Sequence, residues 1–586
     1  MNKNEFDIMY TILTEGIVNQ RALAQASGRS LGAVNRAVRN LIAAGWLDRE
    51  YRPTELALRE AERCRPKNAV ILAAGFGMRM VPINTETSKG LLEVHGEPLV
   101  ERLIRQLREA GVEEICVVVG YMKEKYEYLI DEFGVDLVVN PEYAVKNNIH
   151  SLYRVRGMLG NTYVVPCDLW CARNPFRPYE FYPWYMVSDA AVSGGVRVNR
   201  KEELVSVGGE RSGNAMVGIA YLTEEVADAV RGRLEQLCAE RRGDGLFWEE
   251  TLYERDKMTI PARLVSAAEV VEINTYEQLR ELDAGSSHLQ SEALNAIAAA
   301  LGCDTREITD IEVLKKGMTN RSFLFSCRGG KYIMRIPGEG TDKLINRANE
   351  AAVYAAISGR GLCDDVVYID PENGYKITRF LDGVRTCDPE SVPDLERCME
   401  KLRQFHGMKI RVEHDFDIFG QIEFYESLWN GAPSVYKDYA ATKARVLALR
   451  PFLEARAGEP CLTHIDAVCD NFLFYKEGDR EELQLTDWEY AGMQDPHVDI
   501  AMFCIYAQYD RGKTDRLIDI YFQNECPPET RTKIYAYMAA CGLLWSNWCE
   551  YKRALGVEFG EYSLCQYRYA KEYARLAQKR MEETEG

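Results

Sequence analysis

Four residues in the last third of the chain have the types and spacing for phosphoryl transfer. CLTHIDAVCDNFLF followed by LQLTDWEY sets His464, Asp466 and Asn471 in the pattern HxDxxxxN and then ends a strand on Asp487. Asp466 is placed to accept the proton of a substrate hydroxyl, and Asn471 and Asp487 to hold Mg2+ against the phosphates of ATP. His464 orients this loop in the same reading, and Asp499 hydrogen-bonds it. Far upstream, AVILAAGFGMRM offers a different chemistry. An apolar run ends at Ala73 and Ala74, Gly75 and Gly77 let the backbone turn its N–H groups outward, and Arg79 and Lys89 add two fixed positive charges. Such a loop cradles a triphosphate. Asp168, just beyond VVPC, is placed to hold Mg2+ against that triphosphate.

The elements that must carry these side chains follow from the apolar patterns. Residues 70–73, 115–120, 136–140 and 162–166 read as strands, with amphipathic helices over 98–110 and 122–133. This alternation implies a largely parallel, Rossmann-like sheet with its ligand at the carboxyl ends of the strands. Further on, IEVLKKGMTNRSFLFSC and KYIMRIPG read as a hairpin and a third strand, whose small polar turn, with Thr319 and Asn320, folds over ATP phosphates. Arg335 then stands where kinase-like folds carry a strand cation, and Glu350 on the next helix is set to pair with it. In LLWSNWCEY, Trp545 and Trp548 sit at i, i+3 on a helix and therefore share a face.

With 586 residues the chain is too long for one core. It reads as three units, 1–66, 67–284 and 288–586, with AGSSHLQ as a flexible joint before the last. The net charge of −18 argues against broad binding to nucleic acid or anionic membranes. No run of about eighteen apolar residues occurs, so membrane spanning is not expected, and no leader-like segment points to secretion. The 17 cysteines form no CxxC pair, and Cys167 and Cys171 lack a second pair at zinc spacing. They read as buried thiols of a cytoplasmic protein.

Three stretches resemble known families. QRALAQASGRSLGAVNRAVRNLIAAGWLDRE resembles the winged helix-turn-helix of small bacterial regulators. That implies a recognition helix over 30–41 bearing Arg36, Arg39 and Asn40, and makes DNA a candidate partner. A dimerisation module, which would make a homodimer, and a relic of fusion are the alternatives. LAAGFGMRM, SKGLLEVHGEPLVERLIRQLREAGVEEICVVVGY, NPEYAVKNNIHSLY and VVPCD together resemble nucleotidyltransferases that couple an NTP to a phosphorylated small molecule. Lys89-Gly90-Leu91-Leu92 is closest to the CTP:phosphocholine cytidylyltransferase branch. The resemblance implies that Asp168 ligates Mg2+, that Asn148 and Ser151 lie near nucleotide and substrate, and that Asn274 in VVEINTYEQL is the second metal ligand. The choline branch has an aspartate at that last place. The HxDxxxxN region and the WxxW resemble choline kinases of the aminoglycoside phosphotransferase-like fold. The expected architecture is therefore multidomain, α/β and α+β: a winged helix, a Rossmann-like nucleotidyltransferase with a mixed, mostly parallel sheet, and a bilobal protein kinase-like phosphotransferase.

Together these resemblances imply a bifunctional enzyme. Choline and ATP would give phosphocholine, and phosphocholine and CTP would give CDP-choline and pyrophosphate, both steps with Mg2+. A trimethylammonium head has no N–H to donate, so its receptor should be aromatic rings backed by an acid. Trp184, Trp248 and Glu249 supply that chemistry in the transferase, and Tyr490, Trp545, Trp548 and Tyr562 supply it in the kinase. The alternatives are the same two steps on ethanolamine or another amino alcohol, and a DNA-binding regulator that senses choline metabolites. Intact HxDxxxxN and GxGxR motifs speak against degenerate, purely sensory domains.

Overall fold

Every side chain of the strand Asn68–Ala73 is buried. Ala69, Ile71 and Ala73 face Val100, Leu103 and Leu107 of the helix Leu99–Glu109, whereas Val70 and Leu72 face Ile149 and Leu152 of the helix Asn148–Arg154. Successive side chains on opposite faces, each face covered by a helix, explain why the strand reads as an uninterrupted apolar run. The computed structural model describes residues 2–585 except 18, 194, 200–202, 208–211, 315–319, 339–340, 342–343, 364–365, 479, 556 and 558. Two units divide it: Met1–Asn295 with Ile311–Val313, and Ala296–Asp310 with Leu314–Gly586.

In the first unit, Asn68–Ala73 pairs in parallel with Glu114–Val119 on one side and Thr162–Pro166 on the other, and Asp136–Val139 adds a fourth parallel strand. Beyond Thr162–Pro166 the sheet is mixed. Ser212–Leu222 runs antiparallel to it and to Trp184–Ser193, which in turn pairs in parallel with Lys257–Val265. The chain begins with the helices Lys3–Glu15, Gln20–Ser27 and Leu31–Ala43, each opened by a side chain of Asn2, Asn19 or Ser30 that accepts a first-turn N–H. A bridge between Leu47 and Pro53 forms the wing, and the helix Glu55–Arg63 leads into the first strand.

Two sequence expectations about boundaries change here. The core of the winged helix is completed from far along the chain, because Phe181 stacks on Phe6 at 5.4 Å and also meets Trp46. Burying aromatics of this size stabilises the junction by about 1.5–3 kcal/mol each. The fully buried Glu180 next to it grips Arg263 through both carboxylate oxygens, at 2.9 and 2.7 Å, and accepts from the Tyr163 hydroxyl. AGSSHLQ is likewise not a free joint. Ser286 Oγ donates to the Glu93 carbonyl at 2.9 Å, and Ser287 Oγ to the Glu93 carboxylate at 3.1 Å.

The second unit has two lobes. Its smaller lobe is an antiparallel sheet ordered Asn320–Cys327, Gly330–Pro337, Lys376–Arg379 and Val366–Ile369, with the helix Arg347–Ile357. The larger lobe is helical. Its axis is the helix Pro528–Ala554, buried continuously from Thr532 to Cys549 and packed against His497–Tyr506 and Glu561–Glu585. Between the lobes, the hairpin Phe472–Glu477 and Arg480–Leu485 follows the HxDxxxxN loop and delivers Asp487 at its end.

Candidate active sites

At the carboxyl ends of the parallel strands, Lys89 Nζ donates to Asp168 Oδ2 at 2.9 Å and to Asn274 Oδ1 at 2.7 Å, and Arg79 donates to the same Asn274 oxygen at 2.9 Å. Four residues far apart in sequence thus meet beside the loop that runs from Ala73 and Ala74 through Gly75 to Gly77. Gly77 has φ +65°, and a Cβ there would lie 2.9 Å from Lys89 Cγ, so the loop closes on the lysine stem only as glycine. Gly90 is equally constrained, since a Cβ would meet the Tyr126 hydroxyl at 2.7 Å.

Asp168 and Asn274 present hard oxygens to one cation, here the lysine ammonium. That donor set fits Mg2+ completed by phosphate oxygens and water. Among the described residues no group of three or more His, Cys, Asp or Glu could hold a metal by itself. Glu272 was not foreseen. Burial, then the charge of Asp168, raise its carboxyl above the usual range. Its position two residues before Asn274 was the available signal.

The ammonium receptor expected in the transferase needs correction. Trp184 is fully buried, and its ring face is covered at 3.6 Å by the Arg263 guanidinium, itself spent on Glu180. Trp248 is only 1% exposed and packs by Tyr185. Both rings fill the core, as strand and turn aromatics beside a sheet commonly do. Asn148 and Ser151 both make framework contacts. The Asn148 side-chain oxygen accepts the Trp248 N–H at 2.8 Å, and buried Ser151 accepts from Asn140 at 3.0 Å. Burial pushes the Glu249 carboxyl up to about 7, one oxygen accepts from the Tyr185 hydroxyl at 3.1 Å, and the other is buried without a partner among the described residues.

In the second unit a cavity of about 690 Å3 is lined by Asp466, Asn471 and Asp487 and by Tyr490, Trp545, Trp548 and Tyr562, together with Asn320 and Arg335 of the smaller lobe. Asn471 Nδ2 donates to the Asp466 carbonyl at 2.8 Å and to its carboxylate at 3.2 Å. Burial, then the charges of Asp487 and Glu489, push the Asp466 carboxyl up to about 8. Carboxylates crowded this way, with an amide oxygen beside them, have the chemistry of a Mg2+ site.

The loop itself is over-determined. Asp499 accepts the backbone N–H of His464 at 3.0 Å and of Ile465 at 2.7 Å. His464 donates through Nε2 to the Thr486 carbonyl at 2.9 Å, and burial lowers its pKa to about 4, so the ring is neutral. Arg335 binds both carboxylate oxygens of Glu350 and also donates to the Gly374 carbonyl at 2.9 Å. Arg347 and Glu489 extend that pair into a buried network that sequence reading missed: Arg347 reaches Glu350 at 3.0 Å and Glu489 at 3.4 Å, and Asn320 donates to Glu489 at 3.0 Å. Thr319 lies outside the described residues. The aromatic lining is a box of crossed rings. Trp545 stands edge-on to Tyr490 at 5.6 Å and to Trp548 at 5.5 Å, and Tyr562 meets Tyr506, a further lining residue, at 6.0 Å.

Family models match at residues 1–48 for a winged helix-turn-helix DNA-binding domain, 69–176 for a MobA-like NTP transferase domain, and 311–541 for choline/ethanolamine kinase. A choline-phosphate cytidylyltransferase of Streptococcus pneumoniae is 28% identical over 37% of this chain and 96% of its own length. A 2-aminoethylphosphonate cytidylyltransferase of Lancefieldella rimae is 32% identical over 38% of this chain and 94% of its own. Protein LicA of Haemophilus influenzae is 28% identical over 42% of this chain and 95% of its own.

Proposed function

We propose, for a chain that belongs to the cytidylyltransferase family in its first half and carries a choline/ethanolamine kinase domain in its second, that it makes CDP-choline from choline in two steps. The observation that carries this reading is one kinase cavity that brings Asp466, Asn471 and Asp487 together with a box of four aromatic rings. In the first step the choline hydroxyl oxygen bonds to the γ-phosphorus of ATP, ADP leaves, and the hydroxyl proton passes to Asp466. Tyr490, Trp545, Trp548 and Tyr562 present ring faces to the trimethylammonium head. In the second, a phosphate oxygen of phosphocholine attacks the α-phosphorus of CTP and pyrophosphate leaves. Arg79 and Lys89 neutralise that leaving group, and no side-chain nucleophile is needed. Asn471 and Asp487 in one site, and Asp168 and Asn274 in the other, would hold Mg2+, which supplies charge neutralisation on the phosphates.

Phosphorus NMR of the purified chain with choline, ATP, CTP and Mg2+ should show phosphocholine rising first and CDP-choline following with pyrophosphate. Absence of phosphocholine refutes choline as acceptor, and the same experiment with ethanolamine then decides the substrate.

A second activity is favoured by the charge layout of residues 1–66. Arg21, Arg36, Arg39 and Arg49 are exposed and form no ion pair among the described residues, and they fall on the second helix, the third helix and the wing. Arg29, Arg52, Arg59, Arg63 and Arg65 are each paired with a carboxylate. Free arginines on the three elements that meet DNA in a winged helix suit phosphate contact. Asn40 is set apart from this group, because its amide donates to Glu5 at 2.7 Å. In a mobility-shift assay at about 50 mM salt, the chain should retard DNA from upstream of its own gene, and Arg36→Ala with Arg39→Ala should weaken that at least about tenfold. No retardation of this or bulk genomic DNA by the wild type overturns the DNA reading.

A further inference from the structure

The aromatic box already has a cation against it. Lys552 lies one turn beyond Trp548 on the helix Pro528–Ala554, and its ammonium stands 5.6 Å from the Trp548 ring centroid. The side chain is half-buried, and its ammonium makes no hydrogen bond or ion pair among the described residues. A lysine on a helix surface ordinarily reaches water, whereas here the half-buried stem brings the ammonium over a tryptophan face. Burial lowers its basicity, and the carboxylate of Glu489, a cavity-lining residue, pulls the other way. The cavity also holds Asp466 and Asp487, so a positive charge nearby offsets carboxylate repulsion before substrates arrive.

We propose that Lys552, which flanks the cavity wall without lining the cavity, is a resident cation on Trp548: its ammonium holds the ring in the empty kinase and yields it to the ammonium of the incoming amino alcohol. The inference rests on the reading of Trp548 as part of the acceptor receptor. A trimethylammonium head is more weakly hydrated than a lysine ammonium, and three methyl groups fill the box, so the exchange favours choline. Lys552 then sets the acceptor KM without touching the bound substrate. The cost of moving it belongs to the empty enzyme, so every acceptor meets the same cost.

Steady-state kinetics of the full chain test this. Lys552→Met should lower the choline KM about three- to tenfold, the range expected for removing one competing cation–π contact. The ATP KM and kcat should stay within about twofold. Ethanolamine should gain by the same factor as choline, because displacement is acceptor-independent, and Lys552→Arg should keep the wild-type KM. A lowered KM is a gain that a damaged fold would not produce. An unchanged or raised choline KM in Lys552→Met, with Trp548→Ala raising it about tenfold, overturns the proposal for Lys552 alone. If Trp548→Ala leaves the choline KM where it was, the receptor reading itself fails and Lys552 goes with it.

Discussion

Asp466→Asn should abolish phosphocholine formation, lowering kcat about 10^2- to 10^4-fold, the usual span for loss of a general base. Conversion of supplied phosphocholine to CDP-choline should remain at the wild-type rate, because the transferase residues belong to the other unit. The substitution preserves shape and the contact with Asn471, and takes away the carboxylate proposed to receive the hydroxyl proton. It also separates chemistry from folding. The Asp466 carboxyl is pushed up from its ordinary value near 3.8 to about 8, by burial first and then by Asp487 and Glu489. A raised carboxyl costs folding free energy above its unfolded pKa, and the cost grows until pH passes the folded value. In metal-free protein the Tm of Asp466→Asn at neutral pH should therefore equal or exceed that of the wild type. Retention of more than about a tenth of kcat would show that the proton goes elsewhere.

The kinase loop was legible because its chemistry is local. His464, Asp466 and Asn471 sit on one short loop, and the strand after it ends on Asp487, so spacing alone predicts that their side chains meet. The GxGxR loop is similar, and Lys89 and Asp168 arrive beside it because the strand Asn68–Ala73 pairs directly with Thr162–Pro166. What sequence hid depends on distant partners. Trp184 looks like a cage wall until Arg263, far along the chain, is seen to lie on its face with Glu180 behind it. Trp248 is an aromatic residue near the right loop, yet it packs on Tyr185 inside the core, which no short window reveals. Arg347 and Glu489 were missed for the opposite reason: each is ordinary in its own segment and gains meaning only in a network spanning Asn320 to Glu489. The winged helix reads as a separate unit because nothing in residues 1–66 says that Phe181 fills its core.

Asp168→Asn should silence the transferase as thoroughly as the first substitution silences the kinase, with a loss of about 10^3-fold in CDP-choline formation and normal phosphocholine production. The argument turns on Asn274. Where the choline branch is expected to place an aspartate, this chain offers a neutral amide oxygen, shared between Lys89 at 2.7 Å and Arg79 at 2.9 Å. Asp168 is thus the carboxylate in direct contact with Lys89, and the charge it brings to a bound Mg2+ has no equal partner across the site. Burial and the Asp168 charge raise the Glu272 carboxyl above its usual range, and among the described residues it makes no ion pair with Lys89 or Arg79, so Asp168 is the better-placed ligand. The same asymmetry predicts an order among variants. Asn274→Ala should cost more than about tenfold, because an amide oxygen is lost, whereas Asn274→Asp should keep most activity, because it restores the charged pair. Pyrophosphate release from CTP and phosphocholine reads all three. If Asp168→Asn stays within about tenfold of wild type while Asn274→Ala is dead, the charge that matters lies on Glu272, and the roles of these oxygens must be exchanged.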